Sequence, residues 1–259
     1  MFSLQNRIAV VTGAGRGIGR AIAVALAQAG AKVGITARTA AELDSAVQAI
    51  KSAGGEAVAI VADLLDKDAP AKIIEQMVAT LGPIDILVNN AGLGSSSDPK
   101  PVADFSDEFW ERTLYLNLTV PYKLSKAALP HMRAKHWGRI INIASINGKM
   151  PSLHGAAYTA SKHGLLGLTR TLALEVAKEG ITVNAICPGP VHTIMNDKRL
   201  EYDAQRRGLT FQEVERAMTP IGGRLEPEDV APLAVYLASI EARMVTGQAY
   251  NICGGVLLY

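Results

Sequence analysis

The sequence predicts an α/β fold in which one parallel sheet carries helices on both faces. Short apolar runs rich in β-branched residues alternate along the chain with stretches of helical spacing. This alternation is typical of parallel sheets built from βαβ units. Several runs, such as 84–88, are almost continuously apolar, which is expected of strands that are buried on both faces.

Seven runs are predicted as strands, over residues 7–12, 32–37, 56–62, 84–88, 138–144, 182–186 and 249–252. Helices are predicted between them, over 19–29, 40–53, 68–81, 106–135 and 156–178. No linker, repeat or low-complexity tract interrupts this order, so residues 1–259 are predicted to form a single domain. We therefore expect a doubly wound, seven-stranded parallel sheet.

The segment at about 191–220 departs from this rhythm. It is polar, charged and prone to form helices, with Arg199 and Arg206 before an interrupting Gly208. A long excursion directly after a strand is typical of a lid over a binding site. A pair of solvated surface helices explains the same pattern, and the sequence leaves both interpretations open.

The composition argues against several classes of protein. A formal net charge of +2 offers no electrostatic basis for binding nucleic acid or an acidic membrane. We find no run of 18 apolar residues and no secretory leader, so no membrane span is predicted. Cys187 and Cys253 lack a paired spacing, which favours free thiols in the cytoplasm. The five histidines show no metal-ligand spacing, so no catalytic metal is predicted.

Glycine-rich and polar residues follow the predicted strands at the edge where ligands bind to open parallel sheets. A glycine loop, 12–19, follows the first strand and opens a helix. Its free backbone N–H groups and the helix dipole can hold a pyrophosphate. Gly13 permits the tight turn, and Gly17 and Gly19 permit close approach. The position of this loop predicts the dinucleotide-binding site of a Rossmann fold.

The end of the second predicted strand bears on the choice of cofactor. An acidic residue there would bind the ribose 2′-hydroxyl of NAD, but the sequence has Ala37 followed by Arg38. Arg16 lies in the glycine loop. Two guanidiniums without a carboxylate favour a 2′-phosphate. NADP(H) is therefore the favoured cofactor, and NAD(H) stays open.

The candidate chemistry lies on the fifth strand and the helix after it. Tyr158 and Lys162 are four residues apart and share a helix face. A tyrosine with its ordinary pKa near ~10 is a poor acid or base at neutrality, and a neighbouring ammonium lowers that pKa. Ser145 ends the preceding strand and can supply a second hydroxyl to the same substrate oxygen.

The glycine loop, the asparagines at 89–90, Ser145, the Tyr158–Lys162 pair and the Pro-Gly pair at 188–189 follow one another along the chain. In this order they resemble the motifs of the short-chain dehydrogenase/reductase family, and the resemblance covers essentially the whole chain. The resemblance implies hydride transfer between a nicotinamide and a ketone or secondary alcohol. It implies that Tyr158 is the general acid/base and that Lys162 lowers its pKa and binds the nicotinamide ribose. It also implies that Ser145 orients the carbonyl and that Asn117 holds a water in a proton relay.

The resemblance further implies that Asp63 contacts the adenine, that Thr193 meets the nicotinamide carboxamide and that Asn89 steadies the central strand. The predicted cofactor-binding residues are Gly13, Gly15, Arg16, Gly17, Ile18, Gly19, Arg38, Asp63, Leu64, Asn90, Ala91, Gly92, Tyr158, Lys162, Pro188, Gly189, Val191 and Thr193.

Within the family, the stretches 149–158 and 251–255 are similar to those of polyketide ketoreductases and 3-oxoacyl-carrier-protein reductases. A reductase of ketones, with 3-oxoacyl thioesters as a substrate class, is therefore the first hypothesis. An NAD-dependent secondary-alcohol dehydrogenase working oxidatively is the second. A non-catalytic nucleotide-sensing scaffold is the third, and the intact Ser145, Tyr158 and Lys162 argue against it.

The apolar tail, 256–259, resembles chain ends that pack across subunits in the homotetramers of this family. The resemblance implies a homotetramer or homodimer. A tail that folds onto its own domain is the alternative.

Overall fold

A computed structural model describes residues 2–259 and places seven strands in one parallel sheet, in the order β3-β2-β1-β4-β5-β6-β7. The predicted fold class is confirmed. The strands are β1 (Ile8–Thr12), β2 (Lys32–Ala37), β3 (Glu56–Val61), β4 (Ile86–Asn89), β5 (Gly138–Ile143), β6 (Ile181–Pro188) and β7 (Ala249–Ile252).

Helices connect these strands and lie on both faces of the sheet. They are α1 (Gly17–Gln28), α2 (Ala40–Ser52), α3 (Ala69–Leu81), α4 (Asp107–Leu114), α5 (Val120–Ala134), α6 (Ala156–Val176), α7 (Ile194–Arg207), α8 (Phe211–Arg216) and α9 (Pro227–Ala238). In the described residues, no helix is long and apolar enough to cross a membrane.

The two faces of the sheet form separate apolar cores. Val11, Ile86 and Val88 pack against α1, α2 and α9 on one face. Val10 and Leu87 pack against α3, α5 and α6 on the other. Because neighbouring residues of a strand point to opposite faces, both must be apolar. This explains the uninterrupted apolar runs in the sequence.

Most elements differ from the predicted boundaries by one or two residues, α9 was not predicted, and two differences bear on the site. β6 runs to Pro188, two residues beyond the predicted end, because Cys187 and Pro188 pair with Asn251 and Ile252 of β7. The stretch predicted as one helical segment over 106–135 is divided into α4 and α5 by a π-helical turn, Tyr115–Thr119. π turns are often found at functional sites.

A buried polar chain fixes α6 against the centre of the sheet. Asn89 Nδ2 donates to Asn142 Oδ1 at 2.8 Å, and Asn142 Nδ2 donates to Thr169 Oγ1 at 2.9 Å. These side chains belong to β4, β5 and α6, and all three are buried. Buried polar groups are costly unless paired, so this chain sets the position of α6 relative to the strand ends.

The C-terminal tail folds partly onto its own chain. Leu257 is buried against Ile146 and Cys253, and Asn251 Nδ2 donates to the Leu257 carbonyl at 3.2 Å. The next two side chains, Leu258 and Tyr259, remain 89% and 79% exposed. The tail therefore both closes its own domain and presents two large apolar side chains to the surroundings.

Candidate active site

A single cleft at the carboxyl edge of the sheet brings the predicted site residues together. Its volume is about 1090 Å³, and it extends from Arg38 at one end to Tyr158 and α7 at the other. Every predicted cofactor-binding residue except Gly19 lines it, together with Ser145. Gly19 and Asn117 lie directly behind the wall of the cleft rather than on its surface.

The cleft lies where the strand order reverses. The chain passes from β1 outward to β2 and β3, then returns to pair β4 with the other side of β1. In open α/β sheets the loops diverge at this point and leave a crevice at the carboxyl ends of the strands. The topology thus creates the space that the glycine loop borders.

The glycine loop has the geometry of an anion cradle. α1 begins at Gly17, and its N-cap residue, Arg16, makes no side-chain capping bond, so the first N–H groups of the helix stay free for an anion. Gly13 has φ +64°, and a Cβ there would lie 2.9 Å from the Ala91 Cα. A Cβ on Gly19 would lie 2.4 Å from the Asn90 side-chain nitrogen. Gly19 therefore permits packing beneath the loop, and the residues present fit a bound pyrophosphate.

Two polar residues fasten the glycine loop to the end of β4. Asn90 Nδ2 donates to the carbonyls of Thr12 and Gly13, at 2.9 and 3.0 Å. The Thr12 hydroxyl accepts from the backbone N–H groups of Asn90 and Ala91, at 3.1 Å each. Asn90 was predicted as a site residue from the sequence, and Thr12 was not. The sequence feature that indicates Thr12 is its hydroxyl at the end of an otherwise apolar strand.

The adenosine end of the cleft contains a carboxylate that sequence analysis did not place there. Arg38 is exposed at the cleft, as predicted. Arg16 Nη1, however, lies 3.0 Å from Oε1 of Glu42, in the first turn of α2. Glu42 also lines the cleft. The two guanidiniums predicted to bind a 2′-phosphate therefore share this end of the cleft with a carboxylate. Glu42 reaches it from the first turn of α2 and not from the end of β2.

Three of the four candidate catalytic side chains meet at the other end, and the fourth, Asn117, lies behind the wall. Ser145 follows β5 and caps the short turn Ile146–Gly148, accepting from the Asn147 N–H at 3.1 Å. Lys162 Nζ lies 5.6 Å from the centre of the Tyr158 ring and donates to the Ile143 carbonyl at 2.8 Å. The strand end thus holds the ammonium that the α6 spacing places beside the tyrosine.

Burial dominates the electrostatics of this group. Burial raises the pKa of Tyr158, and the Ser145 hydroxyl, which hydrogen-bonds the phenol, opposes that rise only in part. Burial lowers the pKa of Lys162 to about 8. The predicted lowering of the Tyr158 pKa by Lys162 is not what the structure shows, because desolvation of the phenolate is the larger effect. Tyr158 is therefore a neutral phenol at physiological pH.

Asn117 lies in the π-helical turn and is buried. Its Oδ1 accepts from the Leu93 N–H at 2.8 Å, and its Nδ2 donates to the Leu93 carbonyl at 2.9 Å and to Ser161 Oγ at 3.0 Å. A Cβ on Gly92 would lie 3.0 Å from Asn117 Oδ1 and 3.9 Å from Lys162 Nζ. Asn117 therefore positions the loop that contains Gly92 and Leu93, and this loop lies between Asn117 and Lys162.

The segment 191–220 borders the end of the cleft beyond Tyr158. Three contacts join α7 to the opposite wall: Arg199 Nη2 donates to the Leu153 carbonyl at 2.9 Å, His154 Nδ1 lies 2.5 Å from the Tyr202 hydroxyl, and Ser96 Oγ donates to the Met195 carbonyl at 2.8 Å. Both apolar and polar side chains line this end. The large apolar ones are Leu93, Met150, Leu153, Ile194, Met195 and Met218, and the polar ones include Ser96, Asn147, Ser152 and Asn196.

Comparison with known proteins agrees with this geometry. The family model described as short chain dehydrogenase matches residues 7–204. This chain belongs to the short-chain dehydrogenase family. Members of the family are oxidoreductases that act on CH–OH and C=O groups, so the resemblance found in the sequence is confirmed.

The relatives include both reductases and dehydrogenases. A Streptomyces virginiae protein named as a ketoacyl reductase of the monensin polyketide synthase is 40% identical over 256 residues, covering 97% of each chain. A solved structure of a variant actinorhodin polyketide ketoreductase with NADPH has a TM-score of 0.93 at 37% identity, covering 100% of both chains. Carveol dehydrogenase from Mycobacterium avium in complex with NAD has a TM-score of 0.92 at 29% identity, also covering 100% of both chains.

The lowered pKa of Lys162 predicts an alkaline limit to carbonyl reduction. Lys162 loses its positive charge as the pH rises through about 8, whereas Tyr158, whose pKa is raised, keeps its proton. Because the ammonium stabilises the phenolate left by proton donation, kcat/KM for reduction should fall as the pH rises through about 8. Stopped-flow or steady-state pH profiles measure this fall.

Lys149→Gln is the control, since Lys149 Nζ instead binds the Ala249 carbonyl at 2.7 Å. The control should keep the same alkaline limb. A wild-type profile that is flat from about pH 7 to 9.5 would contradict this assignment.

Proposed function

We propose that this protein is an NADPH-dependent reductase of ketones, with 3-oxoacyl thioesters as its substrate class. One observation carries the proposal: Ser145, Tyr158 and Lys162 lie together in the same cleft that the glycine loop borders further along. A carbonyl group at that junction would be within reach of both a proton donor and a bound nicotinamide.

The residues of the chain supply the proton and the electrostatic stabilisation. Bound NADPH would supply a hydride to the carbonyl carbon. Tyr158 gives its hydroxyl proton to the carbonyl oxygen, so that the C=O bond becomes C–OH and a phenolate is left. Ser145 donates a hydrogen bond to the same oxygen and stabilises its developing negative charge. Lys162 faces the phenolate with its ammonium until a proton from solvent restores the phenol.

The cofactor assignment rests on residues along the cleft wall. The free N–H groups at the start of α1 suit the pyrophosphate, and Arg16 and Arg38 suit a 2′-phosphate. Asp63 and Leu64 line the part of the cleft assigned to the adenine, and Thr193 lines the part assigned to the carboxamide. The NADPH-bound ketoreductase relative supports the same choice.

The substrate class rests on the lining of the cleft near α7. Its apolar side chains, such as Leu93, Met150 and Met195, favour an acyl or polyketide chain over a polyhydroxylated substrate. Arg199 also lines this end, but both its Nε and its Nη2 contact Asp203, at 2.8 and 3.2 Å. Asp203 therefore compensates its charge in part, since the same carboxylate also accepts from Arg206 Nη2 at 3.3 Å. The segment 191–220 is proposed as the lid over this end.

A secondary-alcohol dehydrogenase that uses NAD is the second candidate. Two observations favour it: Glu42 contributes a carboxylate at the adenosine end of the cleft, and the carveol dehydrogenase relative was solved with NAD. Oxidation of an alcohol would use the same three side chains in the reverse direction. The cofactor preference therefore distinguishes the two candidates.

A homotetramer or homodimer is the proposed assembly, and the cytoplasm is the proposed compartment. The exposed Leu258 and Tyr259 at the end of the tail support the first proposal. The second is supported by Cys187 and Cys253, which are both free and buried.

Tyr158→Phe tests the proposed chemistry. Removal of the hydroxyl should lower kcat for ketone reduction by at least about 10²- to 10⁴-fold, because it removes the proton donor. Cofactor affinity should change by less than about threefold, since the hydroxyl acts mainly on the transition state. Steady-state kinetics and calorimetric titration give the two values. Tyr122→Phe, on an exposed side chain, is the control; equal turnover in both variants would refute the mechanism.

Arg38→Asp tests the proposed cofactor. The substitution replaces a phosphate partner with a repelling charge, so NADPH affinity should fall about 10- to 100-fold. NADH affinity should change by less than about threefold. Titration of the wild type and the variant with each cofactor measures both. Lys51→Asp makes the same charge change at the other end of α2. Equal losses for NADPH and NADH in Arg38→Asp would remove the phosphate role.

Leu258→Ser combined with Tyr259→Ser tests the proposed assembly. Loss of two exposed apolar side chains should weaken subunit association, because their burial is its driving force. Multi-angle light scattering over a dilution series should show a lower mass than the wild type. Val61→Ser, at the exposed edge strand β3, should leave the mass unchanged. A double variant with the wild-type mass at every concentration would discard this interface.

A further inference from the structure

Glu42 occupies the part of the cleft where the adenosine ribose would be recognised. A Cβ built on Gly15 would lie 2.9 Å from Glu42 Cβ, 3.1 Å from Glu42 Oε2 and 3.4 Å from Ala37 Cβ. Glu42 therefore packs over the glycine loop and beside the last residue of β2. In dinucleotide-binding folds, an acidic residue at the end of the second strand accepts a hydrogen bond from the ribose 2′-hydroxyl. Here Glu42 brings a carboxylate to the same part of the cleft from the first turn of α2.

The same carboxylate already has a partner. Glu42 Oε1 lies 3.0 Å from Arg16 Nη1, and the two side chains are 33% and 59% exposed. An ion pair this exposed is weak and readily exchanged. A 2′-phosphate would therefore compete with Glu42 for the Arg16 guanidinium, and the two anions would repel each other across a short distance. A 2′-hydroxyl would meet neither difficulty.

We propose that Glu42 is a specificity-determining residue that limits the preference for NADPH over NADH. It competes with the 2′-phosphate of NADPH for Arg16, and it accepts a hydrogen bond from the 2′-hydroxyl of NADH. The inference rests on the proposed binding of a nicotinamide dinucleotide in this cleft. Arg38, which is exposed beside the cleft, then favours the phosphate, and Glu42 opposes it.

In this arrangement Arg38 and Glu42 place opposite charges at the part of the cleft that would hold the ribose. With NADPH, Arg16 leaves Glu42 and joins Arg38 at the phosphate. With NADH, the Arg16–Glu42 pair stays intact, and the remaining carboxylate oxygen meets the ribose. The protein would consequently use both cofactors, with a ratio set by one side chain rather than by the strand end.

Glu42→Gln is the decisive variant, because it removes the charge and keeps the size of the side chain. The ratio of the NADH Kd to the NADPH Kd, measured by isothermal titration calorimetry, should rise about five- to tenfold. NADPH should bind more tightly and NADH slightly less tightly. Because the two affinities are measured on one variant, any general loss of stability at the start of α2 affects both and leaves the ratio unchanged.

Two further variants make the result specific. Asp44→Asn removes the same charge two residues along α2, where the side chain points to another side of the helix, and it should not change the ratio. In an Arg16→Gln background, Glu42→Gln should change the ratio by less than it does in the wild type, because there is no guanidinium to release and only the repulsion of the phosphate and the hydrogen bond to the 2′-hydroxyl remain. A full effect in that background would overturn the competition for Arg16.

The remaining outcomes separate this inference from the proposed function. If the wild type binds NADPH and Glu42→Gln moves the ratio by less than about twofold, the role of Glu42 is wrong and the proposed function stands. If both affinities change equally, Glu42 only supports the loop, and the inference is again wrong. If the wild type binds neither cofactor, the proposed function fails and the inference fails with it.

Discussion

Parallel pairing of β1 with β4 is the constraint on which the rest of the site depends. The two strands are neighbours in space although two βα units separate them in sequence. Thr12 and Asn90, at the ends of these strands, exchange side-chain and backbone hydrogen bonds. These hydrogen bonds fix the position of the glycine loop at the carboxyl edge of the sheet. Without this pairing, neither the crevice nor the orientation of the first N–H groups of α1 would be defined.

The catalytic end depends on groups that burial does not favour. Lys162 is 5% exposed, and the Ile143 carbonyl accepts a hydrogen bond from its ammonium. Burial lowers the pKa of this lysine and raises that of Tyr158, so both charged states are disfavoured. Such a site costs folding free energy, and the extensive apolar cores on the two faces of the sheet offset it. The low-polarity surroundings in turn strengthen every charge interaction with a reacting oxygen.

The regular parts of the fold could be predicted because their causes are local. β2 and β7 begin and end where the sequence predicts, since short runs rich in apolar residues and the turns that follow them define both strands. The parallel sheet and the residues along its carboxyl edge also follow from the βαβ pattern. Ser145, Tyr158 and Lys162 could be found for the same reason: each lies at a strand end or on one face of a single helix.

The remaining features depend on contacts between distant residues. The π turn at Tyr115–Thr119 lies where Asn117 forms hydrogen bonds with Leu93 and Ser161. The spacing of apolar residues in the sequence does not distinguish this turn from the α-helix around it. Glu42 reads in the sequence as an ordinary acidic residue of a helical first turn. Only the folding of α2 beside the glycine loop brings it to Arg16. The sign of the Tyr158 pKa shift was likewise missed, because burial is a property of the assembled fold.

The two ends of the cleft are built differently, and this difference bears on specificity. The end with the glycine loop consists mainly of strand ends and backbone N–H groups. Because these groups do not distinguish one dinucleotide from another, single charged side chains determine which cofactor binds more tightly. The opposite end is bordered by α7, and Arg224 joins α7 to α8: its guanidinium nitrogens lie 2.6 Å from Asp197 and 2.6 Å from Glu215. These two ion pairs fix α8 relative to α7. The few contacts that join α7 to the opposite wall therefore set the position of both helices.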